Sequence, residues 1–138
     1  MATRGIRNNN PLNIRNNEHT HWKGEVNAID KNDKSFEEFE SMQHGYRAAF
    51  VCIRTYVKKY GLRTISQIIN RWAPPNENHT EIYLMAVCKD LNISPDSMVE
   101  INNKNFMINL AAAMFRVENG SEPDITVIEE GWNLFEKT

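Results

Sequence analysis

Apolar residues in this chain recur mostly three and four positions apart, and alternate only briefly. From Gly45 onward Tyr46, Ala49, Phe50, Ile53, Val57 and Tyr60 share one helical stripe, which Gly61 ends. Thr64 with Gln67 makes a capping box opening a shorter helix through Ile65, Ile68, Ile69 and Trp72, and Pro74-Pro75 stops it. Thr80 or Asn78 can cap the next helix, whose body holds Ile82, Leu84, Met85, Ala86 and Val87 and which ends near Asn92. Ser94-Pro95 reads as an N-cap followed by proline in the first helical position, which predicts a short helix through Met98. Leu110, Ala113, Met114 and Val117 then mark a helix from Lys104 to Glu118, with Gly120 placed as its left-handed cap. After Asp124 a last helix carries Ile125, Ile128, Trp132 and Phe135.

The first forty residues follow another rule. Pro11 and the crowded asparagines of Arg4–Arg15 disfavour both helix and central strand, so this run is expected to be irregular backbone held by side-chain hydrogen bonds. Interleaved Ile6, Leu12 and Ile14 give it something to bury. His21–Val26 and Phe36–Phe39, joined by a polar turn at Asp30–Lys34, predict a small hairpin. A helix capped by Ser35 and Glu38 is the competitor. The expected fold is therefore mainly α (α+β), one domain spanning residues 1–138.

Composition narrows the function classes. Hydrophobic residues at 41% and charged residues at 25% suit a globular domain with a proper core, and no apolar run approaches a membrane span. A net charge of −2 argues against nucleic acid as main partner, because phosphate binding needs a concentrated basic surface. The N-terminal MATRGIRNNN has no apolar segment behind it, so no secretory signal is expected. Cys52 and Cys88 lie in apolar helical patterns and read as buried thiols. His19 and His21 make an HxH, but His44 and His79 stand apart and no Cys lies near them, so the set supports a metal site only weakly and neither a metal nor a cofactor is expected.

One acid stands out. Glu118 lies one turn beyond Met114 and two beyond Leu110, on the apolar face and at the C-terminal end of its helix. Burial penalises its charge and the negative end of the helix dipole repels it. Both favour the protonated form, which suits a general acid near neutral pH. A lone glutamate at a helix end more commonly frays into solvent.

Ala112-Ala113-Met114-Phe115-Arg116-Val117-Glu118-Asn119-Gly120-Ser121-Glu122-Pro123 resembles the A-x-x-x-x-E-S-G-x-x-P motif of lytic transglycosylases and bacterial glucosaminidases, with Asn119 in place of the usual Ser. These belong to the lysozyme-like superfamily of peptidoglycan glycosidases. Asn9–Arg15, Trp22-Lys23-Gly24 and Phe36–Ser41 leading into a long helix are similar to the N-N-x-F-G-I-K segment, W-x-G hairpin and aromatic strand of flagellar-type and autolysin-type glucosaminidases. In those families the glutamate helix comes first; here it comes near the end. The resemblance thus implies a lysozyme-like helical domain with one small β-hairpin lobe, circularly permuted. The whole chain also resembles small phage and prophage proteins that begin R-G-I-R-N-N-N-P-x-N-I-R and contain R-W-A-P-P-x-E-N-x-T, commonly described as virion structural or lysis proteins.

The resemblance implies a muramidase or lytic transglycosylase with Glu118 as general acid. A hydrolase needs a second carboxylate, about 5–5.5 Å away for retention or roughly 6.5–9.5 Å for inversion. Glu25 is the first candidate, Asp30 and Asp33 are the next, and a solvated turn is the plain alternative for all three. A lytic transglycosylase needs none. Asn10 and Asn13 are candidates to bind N-acetyl groups, though tying down their own loop is an equally good account. Trp22 and Tyr83 are candidates to stack on sugars; Trp72 continues the Ile65, Ile68, Ile69 stripe and fits the core better. Glu77 is the reserve acid.

The implied partners are peptidoglycan glycan strands, with a phage virion, secretion apparatus or immunity protein beside them. Such a protein is made in the cytoplasm and acts in the periplasm or on the wall after delivery or lysis, or within a virion. The rival reading is a non-catalytic virion or wall-binding protein on the same fold, and a peptidoglycan endopeptidase ranks below it.

Overall fold

The computed structural model describes residues 2–17, 19–75 and 79–138. Six helices follow one another: α1 (Arg4–Arg7), α2 (Met42–Lys58), α3 (Ile65–Trp72), α4 (Thr80–Leu91), α5 (Lys104–Asn119) and α6 (Ile125–Glu136). The chain is mainly α. Ser41 caps α2 by accepting from the His44 N–H, and the Thr64/Gln67 capping box closes the start of α3 on both sides. Asn92 and Gly120 end α4 and α5 in the left-handed region, at φ 54° and 66°.

The core gathers around α2. It packs along α6, where Phe50 meets Trp132 edge-on at 5.1 Å between ring centroids and Phe135 at 5.8 Å. Helix α5 lies against both α4 and α6, and Leu110, Ala111, Ala112, Ala113 and Met114 are enclosed there. The alanine run is the thin part of the helix, and it allows its neighbours to approach closely.

Three expectations differ from the structure. Residues 94–98 form turns rather than a helix. The Ser97 and Pro95 carbonyls accept the N–H groups of Ile65 and Ser66, so this segment is held open as a backbone cap for the start of α3. Met98 pairs with Thr64 as an isolated antiparallel bridge. The opening run is not wholly irregular, because Arg4–Arg7 make one helical turn capped by the Thr3 hydroxyl.

The third difference is the hairpin. Among the described residues β-structure is confined to isolated bridges, including Arg15 with Phe36 and Glu25 with Phe39. Val26 N–H donates to Glu38 C=O and Glu40 N–H to Gly24 C=O, so the two segments meet without forming continuous strands. Side chains compete for the backbone here. The Glu38 carboxylate takes the N–H groups of Asn32 and Asp33, and the Asp33 carboxylate takes those of Ser35 and Phe36. The Ser35/Glu38 helix does not form either.

Candidate functional site

The tip of α5 and the opening loop meet at one groove. Three oxygens converge on Gly5 in α1: an added Cβ would lie 2.8 Å from Asn10 O, 2.8 Å from Asn119 Oδ1 and 3.2 Å from Asn13 Oδ1. Only glycine allows that approach. Asn119, the residue after Glu118, donates through Nδ2 to Pro11 O at 2.8 Å and accepts from the Thr3 hydroxyl. The loop is thereby tied to the helix end directly beside the acid.

Asn10 is fully buried. Its amide donates to the carbonyls of Ile14 and Glu37, at 2.9 and 3.0 Å, and accepts from Ile14 N–H at 2.9 Å. All of it serves the backbone, so Asn10 shapes the loop and offers no group to a ligand. Asn13 differs. Held at φ 55°, it lines the groove and donates through Nδ2 to Glu118 Oε1 at 2.8 Å.

Glu118 Oε2 accepts from the Tyr83 hydroxyl at 2.9 Å. Burial pushes the Glu118 carboxyl above the usual carboxylate range, and the two donors partly offset that by stabilising its charged form. Tyr83 itself is buried on α4, where burial and the adjacent carboxylate raise its phenol well above normal. It cannot stack on a sugar there. Its geometry orients the acid.

The groove has a volume of about 980 Å³ and is lined by Glu118, Asn13, Trp22, Phe36, Tyr56 and Trp72 among others. Trp72 both lines it and anchors the loop, since its Nε1 donates to Leu12 O at 3.0 Å and its ring meets Tyr56 edge-on. Trp22 lines the wall with its indole nitrogen buried and without a hydrogen-bond partner.

Glu25 is not brought to the groove. It bridges Phe39 on the backbone, and its carboxylate pairs with His21 Nδ1 at 3.3 Å. Asp33 is held by the Arg4 guanidinium, at 2.5 and 2.8 Å, and by Asn8, which keep it well below its ordinary range. Such an acid stays charged and serves structure. Asp30 does not line the groove. Glu77 lies outside the described residues. No group of three or more His, Cys, Asp or Glu residues converges as a metal set among the described residues.

Sequence reasoning passed over Asn119, Gly5 and the orienting role of Tyr83. Asn119 had a signal, because an amide stood where the resembling motif carries a hydroxyl. Tyr83 was singled out as a sugar-stacking ring, and nothing local signalled that its hydroxyl would reach Glu118 instead.

No family model matches the chain. Over 124 residues it is 43% identical to Protein P5 of Pseudoalteromonas phage PM2, which covers 88% of this chain and 74% of that protein.

Proposed function

The chain belongs to the family of Protein P5 of Pseudoalteromonas phage PM2, and from that premise we propose that it is a peptidoglycan-degrading glycosidase with Glu118 as general acid. The observation that carries this reading is a carboxyl kept protonation-prone by burial, facing an aromatic groove and held on both oxygens by Asn13 and Tyr83. A donor so placed can protonate the leaving oxygen as oxocarbenium character develops on the ring. We read the helical body as a permuted lysozyme-like domain and the bridged loops as its hairpin lobe. The packing of α1 and the opening loop against the end of α5 supports that arrangement. A phage relative supports a lysis or virion setting for the activity, reached after delivery to the periplasm or wall.

Glu25's position away from the groove favours the transglycosylase form of the reaction over hydrolysis. In that form Glu118 gives its proton to the glycosidic oxygen as the bond from the anomeric carbon breaks. The resulting carboxylate then takes the proton of the sugar's own 6-hydroxyl as that oxygen closes on the anomeric carbon. Atoms balance without water or a second acid.

Turbidity loss on permeabilised Gram-negative cells tests the assignment. Glu118→Gln should clear them about 10²–10⁴-fold more slowly than wild type. Equal clearing would reject Glu118, and no clearing by either would favour a non-catalytic virion or wall-binding protein. Mass spectrometry of the fragments should then find anhydro ends; reducing ends would indicate hydrolysis, and cut peptides an endopeptidase.

A further inference from the structure

Helix α2 turns two different faces away from the core. Cys52 and Tyr56 line the groove. At about 100° per residue, Arg47, Arg54 and Lys58 fall on the helix's other side, at i, i+7 and i+11 of one stripe. Arg47 is the odd member. It is only 8% exposed, and its Nε is enclosed without a hydrogen-bond partner. No carboxylate pairs with it among the described residues, and burial and the nearby Arg54 charge lower its pKa. Glycine at position 131 lets α6 close on it, since an added Cβ there would lie 3.5 Å from Arg47 N. Glu130 of α6 reaches the same stripe at Gln43, whose amide donates to it at 3.3 Å, and leaves Arg47 unpaired.

A guanidinium stays charged throughout the working pH range, so an enclosed one without an acid costs stability. Such a group is nonetheless well prepared to receive a carboxylate from outside. Its stem is already immobilised against α6, and Nε alone of its nitrogens is enclosed without a partner, so the forked end is what reaches the surface. Arg54 and Lys58 extend the line. The Arg54 guanidinium lies over Phe135, 4.8 Å from the ring centroid, and Lys58 is exposed. Neither is paired with a carboxylate among the described residues. The second and third positions lie about 10 and 16 Å along the helix from the first, the spacing that acids at i, i+7 and i+11 of another helix present. A phosphate polymer would instead run past Glu129, Glu130 and Glu136, all exposed on the adjoining α6.

We propose that the stripe of Arg47, Arg54 and Lys58 docks an acidic helix of a partner protein, with Arg47 as its anchor. The face is separate from the groove, so this stands or falls independently of the glycosidase reading. The test uses the full chain and three fluorescent probes: an alanine-based helical peptide with glutamates at i, i+7 and i+11, its glutamine counterpart, and oligothymidylate. At low salt the glutamate peptide should bind about tenfold more tightly than the glutamine one, as expected for three partly exposed charge pairs. The margin should shrink as sodium chloride is added. Arg47→Met should erase most of it, while the free chain melts about 2–4 °C higher because an unpaired enclosed charge is gone. A lower melting temperature would show that the fold itself uses the Arg47 charge, and would overturn its role as anchor. If Arg47→Met does not fold, Arg54→Gln/Lys58→Gln should still cut the margin to within about threefold. Equal affinity for the two peptides would overturn the proposal, and tighter binding of oligothymidylate would replace the acidic helix with nucleic acid.

Discussion

Residues 42–136 and residues 2–40 of this protein are held together by different physics. The helical part encloses Phe50, Ile53, Ile68, Leu110, Met114 and Ile128 in a continuous apolar core. The loops before it contribute Leu12, Ile14 and Phe39 to that core, but they also bury Asn8, Asn10, Asp33, Glu37 and Glu38. Apolar burial is non-directional and tolerates small shifts, whereas a buried polar network holds only if nearly all its bonds are made. The Glu37 carboxyl shows the strain of the second kind: burial and the nearby Glu25 push it upward, while Lys31 at 3.5 Å pulls it down. The groove lies on the seam between the two regions. The helical body supplies the half-buried acid, and the polar loop supplies the amide that faces it. A site placed there takes a raised pKa from one side and fixed hydrogen-bond geometry from the other.

The contrast is broken most strongly from the apolar side. Phe50→Ala should cost about 3–5 kcal/mol, because a buried ring in contact with Trp132 and Phe135 leaves a cavity that α2 and α6 cannot close. Chemical denaturation followed by circular dichroism should show both regions lost in one transition. Asn10→Ala should cost less, about 2–3 kcal/mol, by leaving backbone groups of Ile14 and Glu37 unpaired in a dry site. Its damage should be local. Amide exchange should quicken across residues 8–16 while the middle of α2 stays protected, and uniform quickening would show that the loops are not a separate unit.

Asp33→Asn should cost about 2 kcal/mol at pH 7, by removing a charge-assisted pair with Arg4 from the loop network. The sign with pH follows from its lowered pKa. The stabilisation is present above the ordinary Asp value near 4 and is lost as pH falls toward the folded value, so melting temperatures of variant and wild type should converge in acid. The smallest effect is expected from Tyr83→Phe, about 1 kcal/mol of stability. Its sharper readout is kinetic. In the proposed reaction Glu118 works protonated, so activity should decline as pH rises through its raised pKa. Removing a donor that favours the charged form should move this decline to higher pH. A decline that stays in place would mean Tyr83 does not act on the acid.

Much of the helical part was legible in advance, because period and caps are local properties. Tyr46–Tyr60, the Thr64/Gln67 box and the Lys104–Gly120 stretch carry their own start and stop signals. Ser94-Pro95 had an equally good local signal and misled, since distant N–H groups of α3 claim its carbonyls. The expected hairpin is seen only in part: its two segments meet at an antiparallel Glu25–Phe39 bridge with two flanking hydrogen bonds, without continuous strands, and carboxylate bonds rather than a ladder hold the turn between them. At the site, Glu118 and Asn13 are brought into contact, whereas Asn10, Tyr83 and Glu25 are placed elsewhere or given other work.

By itself, then, the sequence determined that the chain is mainly helical, where α2 to α6 lie, and that one glutamate ends a helix on its apolar face. Those follow from interactions spanning three or four residues. Tertiary structure alone decided that this glutamate meets an asparagine 105 positions earlier and that a tyrosine from α4 holds its other oxygen. Such pairings depend on how helices pack and which backbone groups remain unclaimed, and no local pattern encodes either.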